Sequence, residues 1–170
     1  ISSDTPIGIT KSMGLGLIGF ADTLNRLKPD LMLLLGDRYE IFVAATAAMT
    51  ACVPIAHIHG GEATEGLIDE AIRHSISKMS HIHFVATEEY RRRVIQLGEQ
   101  PSSVLTVGGM GVDCIFRTAL MSRSETENSI GFKFLRRNLL ITFHPVTLEY
   151  LSAEYQMKEL LFALRQLDDV

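Results

Sequence analysis

The chain has no tryptophan, two cysteines and five prolines among its 170 residues. Two cysteines, Cys52 and Cys114, are too few for a disulfide framework and show no metal-ligand spacing. Because Cys52 lies in an apolar run, two buried, reduced thiols in a cytoplasmic setting are expected. Basic residues are not in excess: 16 Lys and Arg against 20 Asp and Glu leave a net charge of −4. That removes the broad cationic surface on which nucleic-acid binding depends. No apolar run approaches the roughly 18 residues a membrane-spanning helix needs. No signal peptide is recognisable, although missing N-terminal residues would hide one. Neither nucleic acid nor membrane is expected as a partner. The first residue is Ile1 rather than Met, and the last stretch, Met157 to Leu167, still reads as helix. A piece of a longer protein is the expectation.

What remains is an ordinary globular composition, 46% hydrophobic and 21% charged, with a repeating pattern. After an irregular lead-in over residues 1–10, Met13, Leu17, Phe20, Leu24 and Leu27 recur at helical spacing, and Lys28-Pro-Asp stops the helix. Leu31 to Leu35 is a continuous apolar run, too short for a helix, and predicts a strand buried on both faces. An Ala-rich helix over Tyr39–Thr50 follows. Strands are predicted at Pro54–Ile58, His81–Ala86 and Val104–Val107, with helices at Ile68–Met79 and Glu88–Leu97. Residues 117–137 lack a sustained period and read as a connector with some helix. Asn138–His144 then restarts the pattern as a strand, and Glu149–Leu167 as a helix. Strands alternating with helices of this length mean βαβ units, a parallel sheet and an α/β fold.

In open parallel sheets, ligands bind beyond the carboxyl ends of the strands. Each predicted strand delivers a polar or glycine-rich signal there. The first gives Asp37 and Arg38, the second His59 to Glu62, the third Thr87, the fourth Gly108 to Gly111 and the restarted one His144. Asp37 follows five aliphatic residues, so a partly desolvated carboxylate able to exchange protons is expected, unless it caps the next helix or pairs with Arg38. Asp69 with Arg73, and Glu70 with His74, are four apart and share helix faces. By themselves they read as surface ion pairs; beside His59 and Glu62 they read as site residues. His57 and His59 share a strand face with Glu62 nearby, and His81 and His83 make a second such pair. No further ligands complete a metal set, so no metal is expected. Arg91, Arg92 and Arg93 read as a solvated helix face. Gly109 lies in a loop suited to backbone contact with phosphate or sugar. His144 is placed to bond a phosphate oxygen, and Thr147 would open a helix whose N-terminus favours anions.

The blocks Leu35-Gly-Asp-Arg-Tyr-Glu40, His57-Ile-His-Gly-Gly-Glu62, Ile68 to Lys78 and Thr87-Glu-Glu-Tyr-Arg closely resemble the hydrolysing UDP-N-acetylglucosamine 2-epimerases of sialic-acid-type sugar synthesis. Val94 to Glu99 and Ile141 to Glu149 extend the match. The resemblance implies Rossmann-like parallel-sheet domains in a two-domain, glycosyltransferase-B-like architecture with substrate in the cleft between them. Residues 1–118 would then be most of the N-terminal domain, 119–133 a connector and 134–170 the start of a truncated C-terminal domain. It also implies an enzyme that removes the C2 proton of UDP-N-acetylglucosamine, expels UDP and hydrates the intermediate to N-acetylmannosamine. Carboxylates do the proton transfer, and no cofactor is involved. By position, Asp37 and Asp69 resemble the acid/base carboxylates, and Arg73 and His144 the substrate and diphosphate contacts. Arg38, His74 and Gly109 are expected to line the substrate. Many relatives carry glutamate where this chain has His59; either Glu62 supplies that carboxylate through a shifted loop, or His59 transfers the proton, and Glu62 is preferred. A nucleotide sugar is the expected small-molecule partner, within a homodimer or homotetramer. Two alternatives stay open: the same chemistry on UDP-N,N′-diacetylbacillosamine, and a nucleotide-sugar-binding module without turnover.

Overall fold

The computed structural model describes residues 5–64, 67–144 and 153–167. These fall into two compact units, 1–110 and 111–170, and each is described by itself.

The first unit opens on helix α1 (Pro6–Leu27). The helix begins earlier than the lead-in reading allowed, because Thr5 caps it by accepting from the Gly8 amide and Pro6 occupies its first turn. Strand β1 (Met32–Leu35), helix α2 (Tyr39–Thr50), β2 (Ile55–Ile58), α3 (Ile68–Met79), β3 (Ile82–Val85), α4 (Glu88–Gln96) and β4 (Val104–Thr106) follow. The four strands form one parallel sheet in the order β1-β2-β3-β4. The predicted α/β alternation is present, with ends shifted by a residue or two.

Sequential strand order has a geometric consequence. Right-handed crossovers between successive neighbours place every connecting helix on the same face of the sheet. The core lies on that face. Leu34, Ile55 and Ile76 pack with Ala44, Ala45 and Ala48 of α2, whose small side chains let the helix approach closely. Val85, Val94 and Val104 form a second cluster under α4. The other face is open among the described residues: Leu33 is 59% and Leu35 48% exposed. The expectation of a strand buried on both sides is therefore corrected. A continuous apolar run reports that both faces are apolar, not what covers them. α1 packs on α2, and of its three central glycines Gly16 makes a close approach, to Val43, while Gly14 and Gly19 face open space.

Three further expectations change. Cys52 and Cys114 are exposed, not buried; Cys52 sits in the left-handed turn that ends α2, with φ 57°. Arg91 and Arg93 are half-buried and bond backbone carbonyls: Arg91 reaches Val104 O at 3.0 Å and Pro101 O at 2.9 Å, and Arg93 reaches Gly61 O. Long guanidinium stems let a helix edge reach neighbouring loops, which composition alone does not reveal. The spacing of Ile68, Ile72, Ile76 and Met79 predicts a buried stripe on α3, yet Ile68 is 39% exposed at its first turn.

Most of helix α5 (Met110–Arg117) belongs to the second unit, with α6 (Arg123–Ile130) and α7 (Ala153–Leu164). α5 starts inside the stretch read as a glycine loop, at Met110. α6 lies in the predicted connector and has a full capping box between Ser122 and Glu125. Lys133 and Arg123 hold the Glu127 carboxyl down at about 2. The strand expected at Asn138–His144 is absent, and Leu140 is 99% exposed. A strand exists only as a pairing, and no described residues pair with this stretch; Asn138 instead folds back on Leu135 through two 2.9 Å bonds. Helix α7 starts at Ala153; Thr147, Glu149 and the rest of residues 145–152 lie outside the described residues.

Ile76 is fully buried at the centre of the larger cluster. Ile76→Ala should cost about 2–5 kcal/mol of stability in chemical denaturation. A loss under about 1 kcal/mol would contradict this placement of the core.

Candidate active site

The carboxyl ends of β1 and β2 converge on one guanidinium. β1 ends at Leu35, and Gly36, at φ 90°, turns the chain. The Gly36 amide donates to Ile58 O at 3.3 Å, and its carbonyl accepts from His57 Nε2 at 2.9 Å. Asp37, the next residue, places Oδ2 on Arg73 Nη2. Arg73 rises from α3 with its side chain 4% exposed. Its Nη2 also donates to Thr64 Oγ1 at 2.9 Å, and its Nη1 to Glu62 O at 2.9 Å and Glu70 Oε2 at 3.4 Å. One side chain thus joins the β1 turn, the β2 loop and α3. The expected Asp69–Arg73 pairing gives way to Asp37 and Glu70, because Arg73 reaches back across to the turn after β1.

The loop after β2 turns at His59, φ 66°, and at Gly61, φ 79°. Left-handed backbone at a non-glycine residue is uncommon and concentrates at functional sites. It also breaks the strand alternation, so His57 faces the helix layer while His59 belongs to the loop. His59 Nδ1 lies 2.7 Å from Glu62 Oε1. The two candidates for one role are therefore partners in a single hydrogen-bonded pair. A neutral His59 donating from Nδ1 to the carboxylate has a bare Nε2, able to take a proton. Gly61 is packed against α4: a β-carbon there would collide with the Tyr90 carbonyl and come within 2.8 Å of Val94.

Asp69 is half-buried in the first turn of α3. Burial first, and the charge of Asp37 second, push its carboxyl above the ordinary range. Glu70 goes the other way: the bond from the Thr64 amide holds it low. His74 Nε2 sits 3.3 Å from Glu70 Oε1, the pairing expected from their spacing. Arg38 is exposed and pairs with Glu40 at 3.2 Å; that carboxylate raises its already high pKa. A hollow lined by Leu35, Gly36, Asp37, Arg38, Glu40 and Ile41 opens beside these groups. Gly109 lies just beyond β4, the same end of the sheet. His144 is exposed and belongs to the second unit. Among the described residues no group of three or more His, Cys, Asp and Glu side chains is placed to hold a metal ion. No described helix is long and apolar enough to cross a membrane.

A parallel α/β sheet with carboxylates, a buried arginine and a His–Glu pair at the carboxyl ends of its strands is the architecture of a ligand-binding domain of the Rossmann kind. The family model described as UDP-N-acetylglucosamine 2-epimerase matches residues 1–170. The chain belongs to that family. It is 39% identical over 161 residues to the GDP/UDP-N,N′-diacetylbacillosamine 2-epimerase (hydrolyzing) of Campylobacter jejuni, covering 95% of this chain and 42% of that protein. It is 43% identical over 164 residues to the polysialic acid biosynthesis protein P7 of Escherichia coli, covering 96% and 42%. Among solved structures, a UDP-N-acetylglucosamine 2-epimerase superposes with a TM-score of 0.66 at 16% identity, over 75% of this chain and 37% of that one. The Methanocaldococcus jannaschii UDP-GlcNAc 2-epimerase in complex with UDP-GlcNAc and UDP superposes at 0.62 and 23% identity, over 68% and 32%. At these identities the superpositions show the shared fold. The chain spans about two fifths of the length of these curated relatives.

Sequence reasoning missed Thr64, and it paired Glu70 with His74 alone, so the bonds of Glu70 to Arg73 and to the Thr64 amide were not foreseen. His57, weighed from sequence as a metal ligand or a packed, hydrogen-bonded strand residue, is the latter. That ring is fully buried, and burial lowers its pKa to about 4. The unfolded chain takes up a proton here near pH 6.5 that the folded chain refuses until about pH 4. The contribution of a neutral His57 is therefore complete above pH 6.5 and lost as the pH falls to about 4. The difference corresponds to roughly 3 kcal/mol. Denaturation of the wild type and His57→Gln across pH 4–7 should show the two stabilities converging toward acid by about that amount. Parallel curves would contradict a neutral buried His57.

Proposed function

We propose that this chain carries the acid/base half of a hydrolysing 2-epimerase acting on UDP-N-acetylglucosamine, yielding N-acetylmannosamine and UDP. The observation that carries the reading is the joint placement of Asp37, Asp69 and the His59–Glu62 pair around Arg73. The reaction needs a base to take the C2 proton as the C1–O bond to UDP breaks. A proton donor then serves C2 of the resulting double bond as water adds its oxygen to C1. Asp69, pushed toward its protonated form, suits the donor role. Asp37 is held by Arg73 at Oδ2, so Oδ1 is the oxygen offered to a proton. The bare Nε2 of His59, oriented by Glu62, supplies a further acceptor. Arg38 is the exposed cation at this rim and is assigned to the departing diphosphate. His74 and Gly109 are assigned to the sugar-nucleotide wall.

Arg73 takes a modified role in this reading. Four bonds from its terminal nitrogens go to protein groups, so it orients the carboxylate instead of meeting the diphosphate directly. Residues 1–118 form most of the N-terminal domain in this proposal and 134–170 open the C-terminal one. The same chemistry on UDP-N,N′-diacetylbacillosamine is the second reading. It is favoured by relatives at 39% identity from Campylobacter jejuni and Legionella pneumophila that carry that substrate in their names.

UDP release from each nucleotide sugar, assayed on the full-length protein, separates the two. Asp37→Asn and Asp69→Asn should each lose about 100-fold or more in turnover while keeping the wild-type circular-dichroism spectrum. Near-normal turnover in either variant removes that residue from the mechanism. UDP binding with no sugar released from any donor would instead identify a binding module.

A further inference from the structure

His57 does not reach the groups assigned to substrate, yet it joins the two loops that carry them. Its ring is 0% exposed on the helix-facing side of β2, in register with Leu34 on β1 and His83 on β3. Nε2 lies 2.9 Å from the Gly36 carbonyl, which can only accept, so Nε2 carries the hydrogen. Nδ1 is then the acceptor, and Ser77 Oγ donates to it at 3.3 Å from α3. The Gly36 amide is meanwhile bonded to the carbonyl of Ile58, the very next residue on β2. Both polar groups of Gly36 are thus taken by consecutive residues of one strand. Gly36, the residue that launches Asp37, is therefore held through both its amide and its carbonyl. The ring also lies under the second loop: a β-carbon at Gly60 would come within 3.2 Å of Nδ1 and 3.0 Å of Ser77 Oγ. Glycine is what allows that turn to rest on the imidazole.

We propose that His57 is a positioning residue for catalysis: as the neutral Nε2–H tautomer it holds the Gly36 peptide so that Asp37 meets Arg73 in its working orientation. The inference rests on the reading of Asp37 as an acid/base carboxylate. The charged and titratable groups facing the ring are His83 from β3, Asp37 from the β1 turn and Arg73 from α3. Burial outweighs the favourable pull of the Gly36 carbonyl and Asp37, while His83 and Arg73 add to it, so the ring stays neutral through the physiological range. Protonation at Nδ1 would turn that atom from an acceptor for Ser77 into a donor, so the Ser77 hydroxyl would have to turn and accept, while the Nε2–H bond to Gly36 would remain.

The test is a double-mutant cycle on the full-length protein, read as kcat and KM for UDP release. Asparagine at 57 cannot reach the Gly36 carbonyl, whereas the glutamine amide extends to the place of Nε2. His57→Asn should lower kcat about 30-fold or more with KM within about threefold, and His57→Gln should recover most of that loss. In an Asp37→Asn background, His57→Asn should cost less than about twofold more, because residues acting through one group are non-additive. Ser77→Ala should lose about threefold or more in kcat and likewise have no effect beside Asp37→Asn. The wild-type 15N spectrum, which needs no variant, should show His57 protonated at Nε2 and bare at Nδ1 from pH 5 to 8. Additive losses, equal impairment by Asn and Gln, or the opposite tautomer would each overturn the positioning role and leave Asp37 in place. An Asp37→Asn enzyme with wild-type turnover would instead overturn the reading of Asp37, and the proposal with it.

Discussion

The buried guanidinium of Arg73 is the constraint on which the candidate site depends. A charge removed from water is tolerated only when it is paired and its hydrogens are satisfied. Arg73 meets that requirement with Asp37 and Glu70 as counter-charges and with Thr64 and the Glu62 carbonyl as further acceptors. Those partners come from the β1 turn, the β2 loop and α3. Satisfying one side chain therefore brings three separate segments into a fixed relation. Arginine suits this role better than lysine because its planar fork presents several donors in set directions. Removing any one acceptor leaves a buried donor without a partner, so the arrangement resists partial rearrangement.

The sheet supplies the frame on which that clamp closes. Parallel pairing of β1 with β2 sets Leu35 beside Ile58, so their following residues, Gly36 and His59, emerge together at one rim. From there the loops are steered by contacts below and beside them. His57 and Ser77 support the Gly36 and Gly60 turns from the helix layer. α4 closes in on Gly61, and Arg93 bonds its carbonyl. Opposed pKa shifts on neighbouring carboxylates then follow from position alone. Asp69 is raised by burial and by Asp37, and Glu70 is lowered by the Thr64 amide. Adjacent residues on one helix turn are thereby shifted in opposite directions.

Much of this was legible in the sequence, and the limits have physical causes. The apolar run Leu31–Leu35 and the helical spacing of Tyr39–Thr50 and Ile68–Met79 identified elements whose burial depends on local periodicity. Placing Asp37 and Glu62 at strand ends, with Asp69 and Arg73 on the helix that follows the second strand, brought them to one rim before any distances were known. What pattern reading could not supply was pairing. The stretch 138–144 has the composition of a strand, but no described neighbour completes it. Asp69 and Arg73 have the spacing of an ion pair, yet Arg73 reaches a carboxylate 36 residues away in sequence instead. His59 and Glu62 looked like competitors for one role and lie within hydrogen-bonding distance of each other. The left-handed backbone at His59, which makes that pairing possible, has no signature in residue type beyond the two glycines that follow it.

In this site Arg73 is expected to work through the geometry of its fork and not merely its charge. The decisive measurement is the turnover of Arg73→Lys in the full-length protein, alongside its circular dichroism and denaturation midpoint. Lysine keeps the positive charge beside Asp37 but has one nitrogen where Arg73 has several, so it cannot hold Asp37, Thr64 and Glu62 together in the same arrangement. A folded variant with UDP release reduced about 100-fold or more is the result expected from a misplaced acid/base group. A folded Arg73→Lys enzyme that turns over within about threefold of the wild type would contradict the account, because the site would then need only a cation at that position.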